Sequence, residues 1–136
     1  AETRLEAMRE RQVMSLSGGE RQRAWIAMAL ARQPEYLLLD EPTTYLDIAH
    51  QLEVMEIIKR LNREHAMTVI MVLHDINHAL QYADEIAVIK NKRIFSTGAP
   101  HDVLNVAMLA EVFGVRADIF TNSQGAQVLS PVSLVR

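Results

Sequence analysis

Two short apolar runs separated by one amphipathic stretch constrain this chain more than any other feature. Tyr36-Leu37-Leu38-Leu39 lies between Pro34 and Pro42, and Thr68 to Leu73 is apolar and β-branched. Both read as strands, because such residues suit a pleated, packed surface. Between them Val54, Ile57, Ile58 and Leu61 recur at i, i+3, i+4 and i+7, which predicts a helix from roughly Ile48 to His65 with Glu53, Glu56, Arg60 and Arg63 on its other side. Strand, helix and strand in this order predict an α/β fold, a mostly parallel sheet flanked by helices that cover both of its faces, with ligands at the carboxyl ends of the strands. Asp40, Glu41 and His74 stand at those ends.

The rest of the pattern fits around this unit. Ala1 to Val13 is charged and helix-prone, with Leu5 and Met8 spaced for one face. Ser17 is an N-cap with Glu20 three residues on, the capping-box spacing, and an apolar helix follows through Trp25, Ile26, Met28 and Leu30 until Gln33-Pro34. Apolar residues nearly encircle its second half, which predicts that it is buried. Further on come a short helix at Ile76 to Tyr82 and a strand at Glu85 to Ile89, turning at Lys90-Asn91-Lys92 into Arg93 to Thr97. Asn91 suits the left-handed conformation of such a turn. After Gly98, two short helices (Pro100 to Leu104, Ala107 to Phe113) precede a pairing of Ile119 to Thr121 with Gln127 to Leu129. The seven methionines are dispersed and read as core filler.

Composition narrows the class. With 136 residues, 49% of them hydrophobic, the chain reads as one soluble unit. A net charge of −3, with 14 Lys and Arg scattered among 17 Asp and Glu, argues against a nucleic-acid partner. The absence of cysteine excludes disulfides and thiolate metal sites. Apolar runs such as Ala24 to Ala31 are far shorter than the ~20 residues that span a bilayer. Ala1 to Arg11 alternates acids and arginines without the apolar core of an export signal, and the expected compartment is the cytoplasm.

Three segments carry candidate chemistry. Gly18 and Gly19 let backbone N–H groups at a helix start approach a polyphosphate, with the Ser17 hydroxyl and the helix dipole adding attraction; S-x-x-E alone also fits an ordinary capped helix. Of Asp40 and Glu41, one acid can hold the water shell of Mg²⁺ and the other can orient and deprotonate a water, although adjacent acids before Pro42 also make an ordinary turn. His74 is placed to donate to a terminal phosphate, or is a satisfied strand-end residue. His74 and His78 form H-x-x-x-H, but Asp75-Ile76-Asn77 lacks the Glu of a zinc-protease helix and His74 belongs to a strand. His50, His65 and His101 read as surface residues without partners.

Taken together, Leu16-Ser17-Gly18-Gly19-Glu20, Leu37-Leu38-Leu39-Asp40-Glu41-Pro42, Leu46-Asp47 and His74 resemble the signature, Walker B, D-loop and switch histidine of ATP-binding-cassette (ABC) ATPases, in order and in spacing. Arg21 to Met28, Leu46 to Gln51 and Val72 to Asn77 are similar to the subunits that power ferric siderophore import, with cobalamin and haem importers as relatives. The resemblance implies a P-loop NTPase fold and an ATP hydrolase with ATP and Mg²⁺ as cofactors. Ser17, Gly18, Gly19 and Glu20 would face the γ-phosphate held by a second subunit of a homodimer, Asp40 would support Mg²⁺ through water, and Glu41 would be the base. Asp47 would link the two sites and His74 would sense the γ-phosphate. Further implied partners are transmembrane permease subunits and, indirectly, a periplasmic or surface substrate-binding protein, at the cytoplasmic face of the membrane.

On this resemblance residues 1–33 end a helical subdomain with the signature, 34–98 form the Walker B, D-loop and switch-histidine part of the nucleotide-binding core, and 99–136 form C-terminal helices and a hairpin. Thr44-Tyr45-Leu46-Asp47 departs from the S-A-L-D pattern. No G-x-x-x-x-G-K-[ST] phosphate loop occurs in the chain, so the expectation is part of an ATPase that is inactive alone and leaves an apolar sheet edge uncovered, prone to self-association. Two other readings remain at this stage: the C-terminal lobe of a chromosome-maintenance or repair ATPase, and a non-catalytic binding module.

Overall fold

A computed structural model describes residues 5–136, so the first part of the charged segment read from Ala1 to Val13 lies outside the described residues. Where length alone suggested one unit, the chain divides into two compact units, one ending at His74 and the other spanning Asp75–Arg136.

In the first unit the described residues before Ser17 form only two 3₁₀ turns, Glu6–Met8 and Val13–Ser15. Helix α1, Gly18–Leu30, begins with a full capping box: the Glu20 N–H donates to Ser17 Oγ at 3.3 Å and the Ser17 N–H to Glu20 Oε2 at 2.8 Å. Strand β1 (Tyr36–Asp40), helix α2 (Ile48–His65) and strand β2 (Thr68–Val72) follow. The strands pair in parallel, Leu37 opposite Val69 and Asp40 opposite Val72, and the Glu41 N–H extends the ladder to the Val72 carbonyl at 3.1 Å. Parallel pairing needs a crossover, and α2 supplies it. Its apolar stripe is buried at Val54, Met55, Ile57, Ile58 and Leu61.

Helix α1 differs from the expectation of burial. Only Gly19, Arg23 and Ile26 are buried, while Trp25 and Met28 are more than half exposed. The helix packs against α2 and the 3₁₀ turn before it, and Trp25 and Met28 lie largely outside those contacts. Met14 is likewise exposed, whereas Met55, Met67 and Met108 are buried, so core filling holds for only some of the methionines. The sheet is covered on one side. Leu37 is buried, but Tyr36, Leu38, Ile70 and Val72, on the alternate face, are all more than half exposed. The expectation of cover on both faces is thus not met among the described residues, and the apolar surface left open is a face of the strand pair rather than an edge.

In the second unit, helix α3 (Ile76–Tyr82) is capped by Asp75, whose Oδ1 accepts from the N–H groups of Asn77 at 2.8 Å and His78 at 3.0 Å. Strands β3 (Ile86–Lys90) and β4 (Arg93–Gly98) form an antiparallel hairpin whose turn residues Asn91 and Lys92 are both left-handed. Helices α4 (Pro100–Val103) and α5 (Val106–Met108) lead into a π turn at Leu109–Phe113. Strands β5 (Val115–Thr121) and β6 (Gln127–Leu134) then pair antiparallel over a longer span than the sequence pattern indicated. Their register shifts next to Pro131, which has no N–H to give to the ladder. Among the described residues parallel pairing is thus confined to β1 and β2, short of the mostly parallel sheet expected, because the later strands follow one another as hairpins. Leu80, Val88, Val103, Leu104, Met108, Leu109 and Leu129 form the core of this unit. The Asn77 side chain imitates a strand edge, accepting from the Leu129 N–H at 2.9 Å and donating to its carbonyl at 3.0 Å. Among the described residues no helix is long and apolar enough to cross a membrane.

The two faces of the β1–β2 pair predict opposite mutational responses. Leu61→Ala, at a residue 1% exposed, is expected to cost about 2–5 kcal/mol of stability. Leu38→Ala, at a residue 73% exposed, should stay within about 0.5 kcal/mol. Urea denaturation followed by circular dichroism measures both.

Candidate functional site

The parallel pairing of β1 and β2 brings their carboxyl ends to one edge. Asp40, the last residue of β1, is exposed, and its carboxylate has no hydrogen-bond partner among the described residues. Glu41 follows with φ +47°, a left-handed conformation uncommon outside glycine. This backbone turns its side chain along the sheet edge. Glu41 Oε1 lies 2.6 Å from His74 Nε2, and Oε2 accepts from Thr44 Oγ1 at 3.0 Å. The hydrogen bond from His74, and after it that from Thr44, holds the Glu41 carboxyl below the ordinary carboxylate range. Glu41 is therefore ionised near neutrality and can only accept, which places a proton on His74 Nε2. Each carboxylate oxygen keeps a second lone pair for a water.

A second cluster forms where α1 begins. Ser17 caps the helix, and Glu20, which closes the capping box, is held below the ordinary carboxylate range first by the Ser17 backbone N–H. Gly18 and Gly19 approach the turn before α2: a Cβ on Gly18 would lie 3.4 Å from Leu46, and one on Gly19 would lie 2.3 Å from the His50 ring. Asp47 caps α2, accepting from the His50 N–H at 2.9 Å and facing His50 Nδ1 at 2.7 Å. The structure thus joins Glu41 with His74, and Gly18 and Gly19 with the Asp47 turn. Residues 41–47 connect the two clusters, through Thr44 N–H to Glu41 carbonyl and Leu46 N–H to Thr43 carbonyl bonds.

Three participants were missed from sequence. Thr44 was read only as a departure from a loop pattern, yet it binds Glu41. His50 was read as partnerless; its spacing of three from Asp47, the first turn of a capped helix, was the available signal. Arg23 stood out in no sequence pattern, but it is buried and pairs with Glu53 of α2. His101 also has a partner, Gln127 Oε1 at 3.0 Å. His78 is buried, its Nδ1 4.0 Å from Asp75, and no cluster of three or more potential metal ligands occurs among the described residues.

Comparison with known proteins adds an independent line. The ABC transporter family profile matches residues 1–44. Over 122 residues the chain is 57% identical to the petrobactin import ATP-binding protein FpuC of Bacillus anthracis, covering 90% of this chain and 45% of that protein. It is 46% identical to the iron(3+)-hydroxamate import ATP-binding protein FhuC of Bacillus subtilis (strain 168), covering 89% of this chain and 45% of that one. Among solved structures, an inward-facing metal-chelate type ABC transporter matches with TM-score 0.89 and 27% identity, over 96% of this chain and 53% of that chain. A dimeric post-hydrolysis ATP-binding cassette bound to ADP and Pi matches with TM-score 0.57 and 38% identity, over 64% of this chain and 37% of that one.

The chain spans less than half the length of these curated relatives. Its fold is a partial α/β lobe of the P-loop ATPase class. Over the part that it spans, the chain is similar to ATP-binding proteins of that transporter family.

The lowered carboxyls set a pH response. Glu20, Glu41 and Asp47 hold protons less tightly folded than unfolded. Their contribution is complete above the unfolded carboxylate range and is lost as pH falls, because the unfolded chain then takes up protons the folded one resists. The thermal midpoint should fall on acidification through that range, less steeply in Glu41→Gln, as a series of melts against pH would show.

Proposed function

We propose that this chain is part of the ATP-hydrolysing subunit of an ABC importer that couples ATP binding and hydrolysis to uptake of ferric siderophore complexes. The observation that carries the reading is the pairing of Glu41 with His74 at the ends of two parallel strands. The import proteins to which the chain is similar support the class of cargo.

In this reading Ser17, Gly18, Gly19 and Glu20 present the start of α1 to a nucleotide held by a second copy, and Asp47 lies beside them at the dimer face. Glu41 accepts from the attacking water. Ionised, it can orient that water and take up its proton, in a reaction governed largely by positioning and charge. His74 has one Nε2 proton, now directed at Glu41, and an incoming γ-phosphate would compete for it. Asp40 fits Mg²⁺ bound through water, since an exposed carboxylate without a hydrogen bond can accept from the ion's hydration shell. Bound with ATP, Mg²⁺ neutralises phosphate charge. Residues 1–33 serve as the end of a helical subdomain, 34–98 as nucleotide-binding core and 99–136 as a C-terminal appendage. Permease subunits and, through them, a substrate-binding protein are the further partners, with the subunit peripheral at the cytoplasmic face of the membrane.

Because the chain has no phosphate-loop motif, the purified 136-residue protein should show no Mg²⁺-dependent ATP turnover. A chimera in which it replaces the matching 122-residue segment of the Bacillus anthracis relative should hydrolyse ATP and support petrobactin uptake. Glu41→Gln in that chimera should lower turnover by ~10²–10⁴-fold. Full turnover with this change would remove Glu41 from the chemistry, and a folded chimera without uptake would remove the assignment of cargo.

A further inference from the structure

We propose that His50 is a positioning residue that holds the first turn of α1 and the Asp47 turn in one fixed relation. The consequence for nucleotide binding rests on the function proposed above, whereas the contacts themselves do not.

The imidazole is held from two sides. On one side is Gly19, buried in the first turn of α1: a Cβ there would lie 2.3 Å from His50 Cδ2, 2.6 Å from Cγ and 3.0 Å from Cβ. No real side chain tolerates these distances, so the ring occupies the space that glycine leaves. On the other side, His50 Nδ1 lies 2.7 Å from Asp47 Oδ1, and the same oxygen accepts the His50 backbone N–H at 2.9 Å. The Asp47 carboxyl is held below its ordinary range, first by that backbone N–H and then by the ring, so it is ionised near neutrality and offers only lone pairs. A neutral His50 must therefore carry its proton on Nδ1, leaving Nε2 as the acceptor.

The bond fixes the ring's rotation and tautomer, and Gly19 fixes how near α1 can come. Leu46 against Gly18 adds a second contact between the same segments. The histidine side chain is 35% exposed and that of Asp47 67%, so burial contributes little and the pair acts through geometry. Two segments that face one nucleotide must keep their spacing to a fraction of an ångström, since small misplacements lower rates steeply.

The test uses the chain with ¹⁵N-labelled histidine. At pH 8 the ring ¹⁵N shifts of His50 should report the Nδ1–H tautomer. Gly19→Ala should push the ring off Asp47, shift it to the Nε2–H form and lower the thermal midpoint by roughly 3–6 °C, although alanine is the better helix former. In a His50→Ala background the same Gly19→Ala change should leave the midpoint unchanged or raise it. In the chimera, His50→Ala should lower kcat at least tenfold with KM altered less. An Nε2–H ring in the unmutated chain, an equal effect of Gly19→Ala in both backgrounds, or an active chimera indifferent to His50→Ala would each overturn the inference. A folded but inactive chimera, with the tautomer and the pairwise result as expected, would instead count against the proposed function alone.

Discussion

The parallel register of β1 and β2 is the constraint on which the Glu41–His74 pair depends. Because the strands run the same way, both deliver their carboxyl ends to one edge, with Asp40 opposite Val72 and Glu41 bonded to Val72. Had the five-residue strands paired antiparallel, His74 would stand about 16 Å away at the far end. Parallel order in turn requires α2 to cross over the sheet, and the buried stripe from Val54 to Leu61 keeps that crossover in place. A hydrophobic period of 3.6 residues therefore sets the position of a polar contact made well beyond it.

Local strain accompanies this arrangement. Glu41 is left-handed at φ +47° and Tyr45 at φ +64°, conformations that cost a non-glycine residue about 1–3 kcal/mol. At Glu41 the bonds to His74, Thr44 and Val72 offset that cost.

Much of this architecture was legible beforehand, for identifiable reasons. Helix α2 has the bounds read from its spacing, because its apolar stripe and Asp47 cap agree. The Ser17 capping box was visible as a pair of residue types at one separation, and the hairpin at Asn91 as a residue suited to positive φ. The sequence pattern failed where the outcome depended on which neighbours an element has. Trp25 and Met28 look like core residues to any periodicity argument, yet both lie largely outside the contacts that α1 makes. In the site, Asp40, Glu41 and His74 could be placed at strand ends from topology, but the roles of Thr44 and His50 could not. Both depend on side chains meeting across a turn whose left-handed residues, Glu41 and Tyr45, carry no glycine to announce it.

Tyr45 shows how such a turn can drift over evolutionary time. Its side chain is fully exposed, so ring, amide or acid are equivalent to the described surroundings. Its backbone angle is another matter: asparagine, aspartate or glycine enter the left-handed region readily, whereas valine, isoleucine and threonine do not. Diversity at this position should therefore be wide in chemistry and narrow in branching at Cβ.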